Sequence, residues 1–147
     1  MTKTIKIKQS VIDRMVSELR TVLPNEGCGY LAGSDGCVDT IYPLENIDHS
    51  PEHFSFRPED QFAVLKSART AGKHLQVVYH SHPETPPRLS EEDLRLLNDP
   101  NMVYIIVSFQ SDVPGIKGYQ IDKANETITV HDVALEIRSE EHTSELQ

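Results

Sequence analysis

The fold is decided by residues 76–93, QVVYHSHPETPPRLSEED. The apolar, β-branched start of this stretch predicts a central strand that runs from Gln76 to His80. A loop stiffened by three prolines follows, from Pro83 to Pro87. Ser90 and the acids after it predict a helix start, because a serine hydroxyl caps helical N–H groups and acids favour that end of the helix dipole.

The two histidines of this stretch stand two residues apart at the end of the predicted strand. Alternation along a strand turns the imidazoles of His80 and His82 to the same side of the sheet. Asp93 follows in the first turn of the helix, within folding-back distance of the strand end. Two neutral imidazoles and one carboxylate suit Zn²⁺, and three protein ligands leave a fourth position open, as in catalytic zinc sites. The sequence therefore predicts a metal-dependent hydrolase centre.

Each part of this pattern also has a simpler interpretation. A bare His-x-His pair is equally well explained as two strand-end histidines that bind no metal. Ser90 and the acids up to Asp93 are explained as a capped helix start, although capping does not prevent Asp93 from binding a metal. Only the whole string, together with an upstream acid at Glu26, favours the metal centre.

The string resembles the motif of the JAMM (MPN+, Mov34/PAD-1-like) metallopeptidases. That motif has His-Ser/Thr-His-Pro, seven residues from the second histidine to a serine, then two more and an aspartate. Residues 80–83, Ser90 and Asp93 fit this spacing. Residues 24–33, PNEGCGYLAG, look like the Glu-bearing segment of the small prokaryotic members, and residues 43–54 are similar to them too. The resemblance spans residues 3–119, and Leu89 departs from it, since many members carry proline there.

The resemblance implies a fold and a set of roles. Strands alternate with helices, which indicates the α/β class, and the resemblance narrows it to a three-layer α/β/α sandwich of the cytidine-deaminase-like MPN kind. It implies that His80, His82 and Asp93 bind zinc. It assigns Glu26 as the general base, which takes a proton from water and passes it to the leaving amine. Ser90 is expected to donate its hydroxyl to the developing oxyanion.

The implied activity is hydrolysis of an amide bond at the C-terminal tail of a ubiquitin-like or sulfur-carrier protein, by a zinc isopeptidase or peptidase. Two alternatives stay open. One is a non-catalytic MPN scaffold that serves only in assembly, although scaffolds of that kind lack the ligands. The other is a zinc hydrolase that acts on a small-molecule amide.

The composition fits one globular domain, which we expect to span residues 1–137 of the 147. A formal net charge of -9 argues against nucleic acid as a partner. The chain has no apolar run of membrane-spanning length and no signal-peptide apolar region at its start, so the sequence predicts a cytoplasmic protein that does not bind membranes. The oligomeric state is not predicted.

Several other residues receive weaker predictions. Cys28 is read as a small core residue, with a nucleophilic role kept open because it stands beside Glu26. His53 and Asn46 are candidate cleft residues. Strand alternation turns Ser81 away from the imidazoles, so it is assigned no chemistry. Residues 4–8 read as an edge strand, because Ile5 and Ile7 alternate with polar residues.

The final ten residues, 138–147, lack hydrophobic periodicity and hold one aliphatic side chain, Leu146. They resemble the in-frame translation of a sequencing-library adapter. This predicts that the segment is an assembly artefact, disordered and without function; an ordinary disordered acidic end is the alternative.

Overall fold

The computed structural model describes residues 3–34 and 36–139. These residues form seven strands and three helices. In chain order the elements are β1 (Lys3–Lys8), α1 (Gln9–Thr21), β2 (Cys28–Ser34), β3 (Cys37–Leu44), α2 (Pro58–Thr70), β4 (His74–His82), α3 (Glu91–Leu96), β5 (Val103–Ser108), β6 (Gly115–Ala124) and β7 (Thr127–Arg138).

The seven strands close into a barrel in the order β1-β3-β2-β4-β5-β6-β7. The pairs β1–β3, β1–β7 and β4–β5 are parallel, and the remaining neighbours are antiparallel. Strand β4 lies between β2 and β5, as predicted for a central strand. Every residue of β5 is buried, which explains why residues 103–107 do not alternate between apolar and polar.

The three-layer α/β/α sandwich predicted from the resemblance is wrong. Such a sandwich needs an open sheet, whereas β7 pairs with β1 over six positions, from Lys3 opposite Val133 to Lys8 opposite Arg138. Strand β1 is consequently not the edge strand that its sequence indicates, because β3 occupies its other side. The cause lies in the last two strands, which are 10 and 12 residues long, whereas the sequence predicts strands only over residues 118–121 and 127–130. A hairpin of this length reaches β1 and closes the sheet.

The two faces of the sheet carry separate hydrophobic clusters. Helix α1 packs on one face through Val11, Met15 and Leu19, among fifteen buried residues that include Val77 and Tyr79 of β4. A smaller cluster covers the other face. Its buried members are Tyr30, Val64, Val78, Leu97, Tyr104 and Ile121. Strand β4 thus presents Val77 and Tyr79 to α1, and Val78, like the two histidines after it, to the side of α2 and α3.

Strand β7 runs to Arg138, which is the first of the ten residues predicted to be an artefact. Residues 140–147 lie outside the described residues, so the prediction for them stays a prediction. In residues 3–34 and 36–139 no helix has the length and apolar character needed to cross a membrane.

Candidate metal centre

Two histidines meet at the carboxyl end of β4. His80 and His82 are 0% and 3% exposed, because neighbouring strands flank β4 and a loop covers the face on which the rings lie. Their Nε2 atoms are 3.2 Å apart. The two imidazoles therefore lie on the same side of the sheet, as strand alternation predicts for residues two apart.

Asp93 completes the group from the first turn of α3. Its Oδ1 atom lies 3.1 Å from His80 Nε2, and its Oδ2 atom lies 3.0 Å from His82 Nε2. Ser90 fixes the orientation of this carboxylate through a capping box: the Ser90 N–H donates to Asp93 Oδ2 and the Asp93 N–H donates to Ser90 Oγ, both at 3.0 Å. The helix-start interpretation and the ligand interpretation of these residues are thus compatible.

The donor set fits a zinc ion. One ligand atom from each of His80, His82 and Asp93 lies within 4.8 Å of the others, and all three residues are buried. His82 Nδ1 is 2.9 Å from the Pro86 carbonyl. A carbonyl only accepts, so Nδ1 carries a proton, and Nε2, which faces the Asp93 carboxylate, is the ring nitrogen that would bind a metal. Burial raises the pKa of Asp93, but hydrogen bonds from His80 and His82 outweigh it and hold that pKa well below its usual range.

A fourth buried group, Glu26, lies just before β2 and is 3% exposed. Its Oε1 atom has no hydrogen-bond partner among the described residues. Loss of water around the carboxylate raises the pKa of Glu26 to about 8; His82 partly offsets this and Asp93 adds to it. A buried carboxylate without a partner is costly, and perturbed groups of this kind are concentrated at functional sites.

This perturbed pKa gives a stability prediction for the metal-free protein. The folded state holds the Glu26 proton up to about pH 8, whereas an unfolded glutamate loses it near pH 4.3. The contribution of Glu26 to the free energy of unfolding is therefore fully present below about pH 4.3 and is lost as the pH rises towards 8. Between pH 5 and pH 8, denaturant unfolding should show wild type losing about 2 to 4 kcal/mol relative to Glu26→Gln. If the two proteins showed the same pH dependence of stability, this would contradict a raised pKa of Glu26 in the folded state.

The loop between β3 and α2 covers the centre. Phe54 stacks on the His80 ring with ring centroids 4.7 Å apart. Neither Phe54 nor the Pro86 carbonyl was predicted from the sequence to act at the centre. Phe54 lies within the stretch that carries the resemblance, whereas a main-chain contact such as that of Pro86 does not depend on the identity of a side chain. Asn46, predicted as a cleft residue, is instead buried within this loop. His53 does border the cleft described next, with Nδ1 2.9 Å from Asp48 Oδ2.

A cleft of about 480 Å³ opens beside Asp93, between the loop, α2 and α3. Its lining combines aromatic and aliphatic residues with polar ones, among them Glu92, Asn98 and Asp99. The apolar lining residues include Tyr30, Phe54, Phe56, Leu97, Met102 and Tyr104. A cleft that combines apolar walls with polar groups next to titratable residues is typical of a binding site.

Cys28 is a buried core residue, as the simpler interpretation predicted. It lies opposite His80 in the pairing of β2 with β4. Burial, with a smaller contribution from Glu26, raises the pKa of its thiol to about 12. The thiol is therefore protonated at neutral pH, which argues against a nucleophilic role.

The sequence matches the family model described as prokaryotic homologs of the JAB domain over residues 8–121. A CysO-cysteine peptidase from Mycobacterium tuberculosis is 31% identical over 104 residues, which are 69% of this chain and 71% of the relative. A desampylase from Haloferax volcanii is 34% identical over 88 residues, covering 58% of this chain and 63% of the relative.

Solved structures are also similar to this chain. The solution structure of protein DSY2949 from Desulfitobacterium hafniense superposes with a TM-score of 0.79 at 37% identity, covering 95% of this chain and 97% of that one. A structure described as a JAMM metalloprotease-like zinc site in the proteasome and signalosome gives a TM-score of 0.56 at 22% identity, with 92% and 99% coverage. The JAB1/MPN part of the predicted fold is thereby supported, although its three-layer description is not.

Proposed function

Because this chain belongs to the prokaryotic JAB-domain branch of the JAMM/MPN family, we propose that it is a zinc-dependent peptidase. Its proposed reaction is hydrolysis of an amide bond at the C-terminal tail of a ubiquitin-like or sulfur-carrier protein. The observation that carries the proposal is the convergence of His80, His82 and Asp93, together with the buried Glu26. Among the described residues Glu26 Oε1 has no hydrogen-bond partner, and His82 and Asp93 both influence the pKa of Glu26. The names of the relatives, a CysO-cysteine peptidase and a desampylase, supply the substrate class.

His80, His82 and Asp93 are the residues that would hold the zinc. Bound there, zinc supplies a Lewis acid that polarises the scissile carbonyl and acidifies water. The Pro86 carbonyl and the Ser90 capping box fix the orientations of His82 and Asp93 before any metal arrives. Such outer partners commonly set ligand geometry at zinc sites.

Glu26 is the proposed general base and acid. The burial that raises its pKa also makes its carboxylate a stronger base once ionised, and catalytic efficiency is best when the pKa is near the working pH. Its carboxylate oxygen would take a proton from the attacking water and deliver it to the leaving amine nitrogen. The unpartnered Oε1 atom is free for that exchange.

Ser90 is the proposed oxyanion donor. Its Oγ atom accepts a hydrogen bond from the Asp93 N–H, and within the described residues no acceptor is recorded for its own hydroxyl proton. A hydroxyl fixed through its oxygen in this way can direct its proton to the carbonyl oxygen as negative charge develops there. The cap and the proposed catalytic role therefore use different atoms of the same hydroxyl group.

The cleft beside Asp93 offers a place for the extended carrier tail, whose side chains its aromatic lining can contact. A scaffold without catalysis is disfavoured, because the complete ligand set and a costly buried carboxylate are both present.

A small-molecule amide remains the second candidate substrate, and the partly apolar cleft is compatible with it.

The substrate class is tested by comparing the two kinds of amide directly. We expect the zinc-loaded enzyme to cleave a carrier-protein conjugate with a kcat/KM at least about 100-fold above that for the same amide on a short acyl group, since remote binding energy is used in the transition state. Mass spectrometry of both reactions measures this ratio. Equal kcat/KM values would favour the small-molecule alternative.

A further inference from the structure

The segment Glu26–Gly27 is held by its main chain on both sides. The Glu26 N–H donates to the Ser50 carbonyl at 2.8 Å, and the Glu26 carbonyl accepts from Asn46 Nδ2 at 3.0 Å. The Gly27 N–H donates to Ser81 Oγ at 2.8 Å, and the Gly27 carbonyl accepts from the Ser81 N–H at 3.1 Å. All four backbone polar groups of the dipeptide therefore have partners.

Ser81 connects this segment to the metal centre. It stands between His80 and His82 on β4, is fully buried, and projects to the opposite face. Two hydrogen bonds to Gly27 tie the strand that carries the imidazoles to the segment that carries the carboxylate. The space around Gly27 leaves little freedom, because a Cβ atom there would lie 2.6 Å from Leu19 Cδ2 and 2.8 Å from Val22 Cγ2 of the α1 segment.

Asn46 holds the segment from the covering loop. Its Nδ2 group donates to the carbonyls of Glu26 and His53, and its Oδ1 atom accepts from the N–H groups of Asp48 and Ser55. This buried amide thus joins the Glu26 segment to the loop that contributes Phe54 and His53. Its place in the molecule differs from the cleft position that the sequence suggested.

We propose that Ser81 and Asn46 are positioning residues for the Glu26 carboxylate. Glu26 Oε1 has no hydrogen-bond donor among the described residues, so we assign the position of the carboxylate to the four main-chain hydrogen bonds of the Glu26–Gly27 segment. This inference rests on the proposed role of Glu26 as general base. Small displacements of a reacting group are costly, since an error of about 1 Å can reduce a rate roughly 100-fold.

A double-mutant cycle tests the proposal. In the zinc-loaded enzyme, Ser81→Ala should lower kcat for conjugate cleavage roughly 10- to 100-fold, with KM and zinc content unchanged. In the Glu26→Gln background the same substitution should change kcat by less than about twofold, because the residue it positions is already disabled. Thr40→Val on β3, which removes a hydroxyl that is hydrogen-bonded to Lys73 and Asp39, is the control and should leave kcat unchanged.

Equal losses of kcat from Ser81→Ala in both backgrounds, or no loss in wild type, would overturn the proposal. Unchanged kcat in Glu26→Gln alone would instead remove the general base itself, so the two failures are distinguishable. If Ser81→Ala does not fold with full zinc content, the same cycle with Asn46→Ala decides, and equal losses in both backgrounds again overturn the proposal.

Discussion

The His80→Ala, His82→Ala double variant is expected to lose its zinc and at least about 10⁴-fold of its hydrolytic rate. The one remaining ligand, Asp93, cannot hold a catalytic metal, because such sites need three protein ligands. Both the Lewis acid and the positive charge would then be missing from the centre. Metal analysis of purified protein and a conjugate-cleavage assay measure the two effects.

The matched control for this variant is His74→Ala, His131→Ala. It removes the same number of imidazoles from exposed positions, one of them at the far end of the same strand, β4. We expect the control to keep one zinc per chain and wild-type turnover. Full zinc occupancy in the His80, His82 variant would place the metal elsewhere.

Glu26→Gln is expected to separate metal binding from catalysis. The amide keeps the shape of the side chain but cannot take a proton, so turnover should fall roughly 10²-fold or more, the scale of a lost general base. Zinc content should stay at the wild-type level, because Glu26 is not among the three residues that converge as ligands. Steady-state kinetics and metal analysis on the same preparation report both quantities.

Glu84→Gln serves as the control for charge removal near the centre, since Glu84 lies exposed in the loop that follows His82. It should leave kcat and KM unchanged. Unchanged turnover in Glu26→Gln would move the base to another group, and loss of zinc would make Glu26 a ligand.

Local rules predicted the elements that form the centre. The strand at Gln76–His80, the proline loop and the capped helix at Ser90 were predicted from spacing and capping chemistry. The structure contains all three, although the strand is longer than predicted and spans His74–His82. These elements bring His80, His82 and Asp93 together. Their roles as zinc ligands, and the roles of Glu26 and Ser90, stay predictions.

The pairing of strands that are distant in the sequence could not be predicted. Nothing local to Thr127–Arg138 indicates that this strand returns to β1 and closes the sheet, because register between distant strands depends on the whole core. The contacts that fix the metal centre likewise depend on the folded structure and not on local sequence. Ser81 reaches Gly27 across 54 residues of sequence, and the acceptor for His82 is a main-chain carbonyl, so neither could be found by spacing alone.

The most direct test of the account is intact-mass analysis of a carrier-protein conjugate incubated with the enzyme in ¹⁸O-labelled water, before and after chelation and with zinc restored. We expect release of a carrier whose new C-terminal carboxylate contains ¹⁸O, only when zinc is present. Cleavage that persists in the chelated protein, or in the His80→Ala, His82→Ala variant, would contradict it, as would a zinc-loaded wild-type protein that leaves every carrier conjugate intact.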